Sequence, residues 1–111
     1  MQFVKIIVYV PETHAKQVRV ALTENGCGKI GNYDSCSFSV KGSGRFRPLK
    51  GANPAIGAVG QNGDPGKIEK VAEERIETIC PVERVAEVLV AVKKVHPYEE
   101  PAIDVFPLLD L

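Results

Sequence analysis

Residues 3 to 10, FVKIIVYV, are apolar on both alternating faces except at Lys5, with Val4, Ile6 and Val8 on one side and Phe3, Ile7 and Tyr9 on the other. A strand of that composition belongs in the middle of a sheet with both faces covered. In the next segment, PETHAKQVRVALTENGCG, Ala15, Val18 and Leu22 recur at helical spacing, and Asn25-Gly26 supplies the left-handed residue that stops a helix. From Tyr33, YDSCSFSVK alternates strictly, with Cys36, Phe38 and Val40 on one side and Ser35, Ser37, Ser39 and Lys41 on the other. This spacing predicts a half-buried strand whose apolar side, Cys36 included, belongs to the core. Residues 42 to 66, GSGRFRPLKGANPAIGAVGQNGDPG, hold glycine and proline too often for a regular element to persist. A long loop is expected there, with Phe46, Leu49 and Ile56 as apolar anchors.

The charges of KIEKVAEERIETIC would suit an exposed helix, but RIETIC ahead of a proline favours a strand, expected over residues 70 to 80. Pro81 fits a first helical position, and Val82, Val85, Ala86, Leu89 and Val92 mark one apolar stripe through PVERVAEVLVAVKKVH. Lys93, Lys94 and His96 near its end suit the negative pole of a helix dipole. His96-Pro97 breaks the helix, and AIDVFPLL supplies a last strand that Pro107 pushes to a sheet edge. The order βαββαβ defines one α+β domain over residues 1 to 111, a ferredoxin-like antiparallel sheet with two helices on one face. Helices on one face leave the second apolar face of the first strand open, and a partner subunit is the economical cover.

A chain of 111 residues can close one hydrophobic core without disulfides or a structural metal. Fourteen basic side chains balance fourteen acidic ones, so no overall charge draws the chain to nucleic acid or anionic lipid. The opening MQFVKIIVYVPETH is interrupted by Lys5 and ended by Pro11, too short to span a bilayer and without a small-residue cleavage site. A cytoplasmic location is the expectation. Cys27, Cys36 and Cys80 form no CxxC pair, and their odd number points to reduced thiols. Cys27, in a glycine-rich turn, is expected to be the exposed one, with no neighbouring base to activate it.

Gly26, Gly28 and Gly31 spell GxGxxG, but a dinucleotide site needs that motif after a strand and opening a helix, and here it closes one. Gly66-Lys67 is no P-loop either, lacking the earlier glycine and the following Ser or Thr. The glycine-rich loop could still cradle an anion through its backbone amides, around Gly57, with Arg45, Arg47 and Lys50 adding charge. The densest polar cluster is His96-Pro97-Tyr98-Glu99-Glu100-Pro101, an imidazole, a phenol and two carboxylates stiffened by two prolines. Adjacent carboxylates on extended chain point to opposite sides, so His96 and Glu99 form the candidate metal pair. A plain helix-ending turn is the competing reading of the cluster. His14, at the start of the first helix, is read as a solvated residue.

The segments GNYDSCSFSVKGSGRFRPLKGANPAIG (31 to 57), RIETICP (75 to 81) and HPYEEPAIDVFPL (96 to 108), in this order, resemble the smaller domain of the YqfO-type, Nif-three-like family. In long members of that family this domain accompanies a larger one with a dinuclear metal centre, in a hexameric toroid. The ligating residues of the larger domain are absent here, so that centre is not carried over. HPYEEPAI also resembles the HPYE stretch of CutA, a trimeric ferredoxin-like protein linked to divalent-cation tolerance, and the loop placement is similar to that of PII signalling proteins. These resemblances imply a homo-oligomer, with a trimer preferred over a dimer. The expected function is a non-enzymatic binding or regulatory module, linked to a divalent metal ion or a small anionic ligand. Its rivals are a metal-dependent hydrolase using His96, Glu99 and Cys36 across a subunit boundary, and a purely structural assembly domain.

Overall fold

The computed structural model describes residues 2 to 110. β1 (Phe3–Pro11) passes through a single 3-10 turn (Glu12–His14) into α1 (Ala15–Glu24). β2 (Phe38–Phe46) and β3 (Glu69–Pro81) follow, joined by a connection with a 3-10 turn at Gln61–Gly63, and a further 3-10 turn (Val82–Arg84) opens α2 (Val85–Val95), which leads to β4 (Ile103–Pro107). Every strand pairing is antiparallel, and the sheet order is β2-β3-β1-β4. The expected ferredoxin-like βαββαβ architecture is thus observed, with β1 internal and Pro107 on the edge strand.

Alternation along β1 decides where the core sits. Val4, Ile6, Val8 and Val10 point to the helices and pack with Ile76 and Cys80 of β3, Val18 and Leu22 of α1, and Val88 and Val92 of α2. Ile6, Val8 and Val10 are wholly removed from solvent, and burial of each such side chain contributes roughly 1.5–3 kcal/mol relative to exposure. Phe3, Ile7 and Tyr9, on the other face, are only half-buried. α1 ends as expected: Gly26 takes φ +97°, and the Asn25 side-chain amide donates to the Ala21 carbonyl at 2.7 Å.

The apolar stripe of α2 differs from the expected one. Val88 and Val92 are buried, with Val85 and Val95 packed beside them, whereas Val82 is 44% exposed and Ala86 faces solvent. VAEVLVAV is apolar almost all round, so two neighbouring stripes compete, and Val82 lies in the 3-10 turn where helical spacing does not yet hold.

β2 departs further from expectation. It begins at Phe38 and continues through Gly42, Ser43, Gly44 and Arg45 to Phe46, so five residues assigned to the loop of 42 to 66 are strand. Gly44 has a positional reason: a Cβ there would overlap the Glu73 carboxylate, which lies across the backbone. The apolar side of β2 is also inverted. Phe38 pairs with Glu77 and Val40 with Arg75, on the sheet face away from the helices, and they are 63% and 39% exposed. Ser39 faces α1 instead, within reach of Arg19, which bonds Glu74 at 2.7 Å. Cys36 is half-buried ahead of the strand, not in the core.

β3 pairs with β1 from Glu73 onward but with β2 from Glu69, so residues 69 to 72 and 43 to 46 project past the end of β1 as an arm. The molecule is accordingly elongated, 54 Å by 24 Å by 22 Å. Among the described residues, no helix is long and apolar enough to cross a membrane.

Candidate functional site

A cleft of about 920 Å³ opens where the arm leaves the sheet. Its walls are Tyr9 of β1, Arg45 and Phe46 of β2, Glu73 of β3, Arg47, Lys50 and Ile56 of the long connection, and Tyr98 and Glu99 of the turn after α2. The cluster HPYEEP and the glycine-rich loop, far apart in sequence, therefore meet across one opening.

The turn is fixed by hydrogen bonds at His96, Tyr98 and Glu99. His96 is only 6% exposed, and its Nε2 lies 2.7 Å from the Tyr9 carbonyl oxygen, to which it donates. With the proton on Nε2, Nδ1 is free to accept from the Tyr98 amide at 3.2 Å. The Tyr98 hydroxyl donates to Glu73 Oε2 at 2.9 Å, and its ring stands edge-on to Phe46 with centroids 5.7 Å apart. Glu99 Oε1 accepts the Asn53 amide at 2.8 Å, tying the loop to the turn. Burial lowers the pKa of His96, opposed by its bond to Tyr9 and by Glu73, with His14 adding a smaller lowering. Burial also raises the Tyr98 phenol above its ordinary range, and the Glu73 carboxylate beside it raises it further.

Of the residues singled out from sequence, the cleft gathers Arg45, Arg47, Lys50 and Glu99. It does not gather His96, whose two nitrogens are spent on Tyr9 and Tyr98, nor Gly57, which takes φ +80° and packs against Glu69. Among the described residues, no three His, Cys, Asp or Glu side chains are grouped to hold a metal ion. His14, at the start of α1, has Nδ1 2.8 Å from the Thr13 hydroxyl, a side-chain contact at the surface. Cys27, expected at the surface, is 3% exposed. The turn residues fold it inward: its amide donates to the Leu22 carbonyl, and the next amide, Gly28, donates to Ile79 on β3.

Two participants were not anticipated. Glu73 lies in a charge-rich stretch where nothing distinguishes it from Glu74, and Phe46 was read only as a loop anchor. The place of Glu73 is left by Gly44 on the neighbouring strand, whose missing side chain makes room for the carboxylate.

Most lysines and arginines among the described residues are outside ion pairs, and those of the cleft share this. Among the described residues Arg45, Arg47 and Lys50 form no ion pair; the two pairs present are Arg19–Glu74 and Arg84–Glu87. Three carboxylates line the same opening: Glu73 and Glu99 accept hydrogen bonds from within the chain, and Glu100 is the third. The arrangement sets Arg45, Arg47 and Lys50 opposite Glu73, Glu99 and Glu100 beside an aromatic wall.

The fold and the site define a ferredoxin-like α+β module with a cleft of mixed charge between its arm and its helix-ending turn. The chain is a counterpart of one segment of Nif-three-like proteins, as its motifs implied. It is 48% identical over 105 residues to the "GTP cyclohydrolase 1 type 2 homolog" of Mycobacterium tuberculosis, covering 95% of this chain and 26% of that protein. The protein of the same description from Bacillus subtilis is 46% identical over 104 residues, covering 94% and 26%. The chain thus spans about a quarter of the length of the curated relatives it matches. The crystal structure of a Bacillus cereus protein related to NIF3 superposes with a TM-score of 0.78 at 44% identity, over 98% of this chain and 26% of that one. CutA from Archaeoglobus fulgidus superposes with a TM-score of 0.63 at 21% identity, over 96% of this chain and 83% of that one, a likeness of fold. No family model matches the chain.

Proposed function

We propose that the chain is a non-enzymatic, oligomeric binding module whose cleft takes a small anionic ligand, with a phosphate-bearing molecule as the best chemical fit. The observation that carries this reading is the set of three unpaired cations, Arg45, Arg47 and Lys50, on a cleft where two of the three lining carboxylates, Glu73 and Glu99, accept hydrogen bonds from within the chain and the third is Glu100. Guanidinium groups favour planar or tetrahedral oxyanions, and a partly enclosed cleft strengthens the attraction relative to open water. Titration with inorganic pyrophosphate, followed by calorimetry, tests it. Saturable binding that weakens at least tenfold in Arg45→Ala with Arg47→Ala supports the proposal, and absence of heat in the unsubstituted protein removes it.

A divalent ion at His96 and Glu99 is the less favoured site chemistry. It would displace the Tyr98 amide from Nδ1 and the Asn53 amide from the carboxylate, two bonds that now fix the turn. Binding of zinc or copper abolished by His96→Ala would reverse this preference. The relatives' description names a cyclohydrolase, but the matched segment is a quarter of their length. In this chain neither Cys36 nor His96 lines the cleft, which favours binding over a hydrolase acting through them across a subunit boundary.

The assembly proposed with this function is a homo-oligomer, a trimer in preference to a dimer. It is supported by the inverted β2, which turns Phe38 and Val40 onto the sheet face shared with Ile7 and Phe106. Packing against other copies would cover that face. Three free thiols fit the reducing cytoplasm, where we place the chain.

A further inference from the structure

We propose, resting on the anion-binding reading of the cleft, that a second copy of this chain completes the site, so that anion binding and assembly are linked.

The cleft is the end of the exposed sheet face. Residues paired in register project their side chains to the same side, so the face away from the helices is a series of cross-strand rows. Lys5 lies between Phe106 and Ile79 in the first row. The second row runs Asp104, Ile7, Glu77, Phe38, and the third runs Tyr9, Arg75, Val40. Glu73 belongs to the fourth row, opposite Gly42, and Gly44 and Phe46 follow on the same side of β2. Tyr9, Glu73, Gly44 and Phe46 all line the cleft. The exposed apolar face therefore runs into the cleft without a break, and Tyr9 belongs to both.

Charge along these rows selects the occupant. The sign alternates from row to row: Lys5, then Asp104 and Glu77, then Arg75, then Glu73. Among the described residues Lys5, Arg75, Glu77 and Asp104 form no ion pair. A partner of a single sign would oppose like charges in every second row. A copy of the same face, shifted by one row, meets it with unlike charges opposed, while Phe38, Val40, Ile7 and Phe106 supply the apolar area to be buried.

Size carries that cover to the cleft. Successive rows are two residues apart, about 7 Å along the strand. The thinnest dimension of the chain is 22 Å, so a copy centred on the second row reaches roughly 11 Å to either side, past the third row. Tyr9 is thus covered together with Ile7 and Phe38, and the copy stands at the open side of the cleft. In the single chain Arg45, Arg47 and Lys50 are exposed, where water and salt screen their pull on an anion. Covering the opening removes part of that screening. It also braces Tyr9, whose carbonyl oxygen holds His96 and with it the turn that carries Glu99.

The test is calorimetry with inorganic pyrophosphate on the full chain, unsubstituted and as Phe38→Glu, a residue that does not line the cleft. The substitution should disperse the assembly by native mass spectrometry, leave the circular dichroism unchanged and weaken pyrophosphate binding at least tenfold. Linkage requires the converse, so saturating pyrophosphate should move the dissociation midpoint of the unsubstituted protein to a protein concentration at least tenfold lower. Val90→Glu places the same charge on an exposed apolar position of α2 and should change neither quantity. Should Phe38→Glu fail to fold, Val40→Lys and the dilution measurement replace it. Equal affinity in dispersed and assembled protein, or a midpoint unmoved by pyrophosphate, would overturn the link and leave the three cations their role. Pyrophosphate binding by an unsubstituted protein that is monomeric would do the same. An assembled protein that binds no pyrophosphate would overturn the link together with the anion-binding reading beneath it.

Discussion

The Tyr98 hydroxyl donates to the Glu73 carboxylate at 2.9 Å, and that one bond joins the turn after α2 to the strand that carries the arm. Glu73 can reach it because β2 offers Gly44 at the crossing point, where a side chain would occupy the carboxylate's position. Two substitutions should therefore be coupled. Tyr98→Phe is expected to cost about 1 kcal/mol, the lower end for a bond to a charged group because both partners are only partly buried. Gly44→Ala should cost a similar amount by swinging Glu73 away, and should cost almost nothing more in a Tyr98→Phe background. Urea unfolding of the four proteins measures this cycle, and strict additivity would refute the link.

The second prediction concerns pH. Burial lowers the pKa of His96 below its ordinary value of 6.5, so the unfolded chain takes up this proton before the folded one. Stability from this residue is present above about 6.5 and is lost as pH falls through the lower folded value. His96→Gln should flatten the acid limb of the urea midpoint between about pH 7.5 and 5. Tyr98 acts at the other end of the scale. Its folded pKa is raised above the ordinary 10.0, so its contribution is present below about 10 and lost above it. An acid limb unchanged in His96→Gln would assign the loss to the carboxylates.

Assembly gives the third prediction. Phe38 is 63% exposed and Phe106 51%, on the same sheet face as Ile7, and a soluble monomer would gain nothing from showing them. Native mass spectrometry should find an oligomer, three copies being the expected number, and Phe38→Glu should dissociate it by placing a charge in the contact. A monomer at micromolar concentration in the unsubstituted protein would defeat this prediction.

The order of elements was legible because each has a local signal: the two-faced apolar run of β1, the Asn25-Gly26 stop, the proline before α2 and the His96-Pro97 break. What was not legible depends on partners distant in sequence. Alternation in YDSCSFSVK separates two faces but does not say which the helices cover, so Phe38 and Val40 were assigned inward and are outward. Gly42 and Gly44 read as breakers because the reason for Gly44, the Glu73 side chain, lies on the opposing strand. The same holds at the site. Arg45, Arg47, Lys50 and Glu99 were found by charge and do share a cleft, whereas the burial of His96 follows from a bond to Tyr9, eighty-seven residues away.

The last prediction separates a ligand-ordered loop from a structural one. The connection from Arg47 to Ile68 contains no strand, only one short 3-10 turn at Gln61–Gly63, and is held by few bonds: the amides of Ala52 to Leu49, Asn53 to Glu99, Gly60 to Asp64, Asp64 to Gln61 and Gly66 to Pro48. Leu49, expected to anchor it, is 53% exposed, while Pro48 is buried and Ile56 half-buried. Amides at those few bonds should therefore exchange slowly, and the rest should exchange quickly in the free protein. A phosphate-bearing ligand in the cleft would recruit loop amides as donors and draw Arg47 and Lys50 inward, so protection should rise from 47 to 56 and change little from 58 to 66. Hydrogen exchange with and without pyrophosphate measures the difference. The same experiment on Glu99→Gln should show faster exchange at Asn53 before ligand and a smaller gain after it, because the tie between loop and turn is weakened. A uniform gain over the whole connection would point to tighter assembly rather than to binding in the cleft, and no gain at Arg47 to Ile56 would leave the three cations without the role assigned to them.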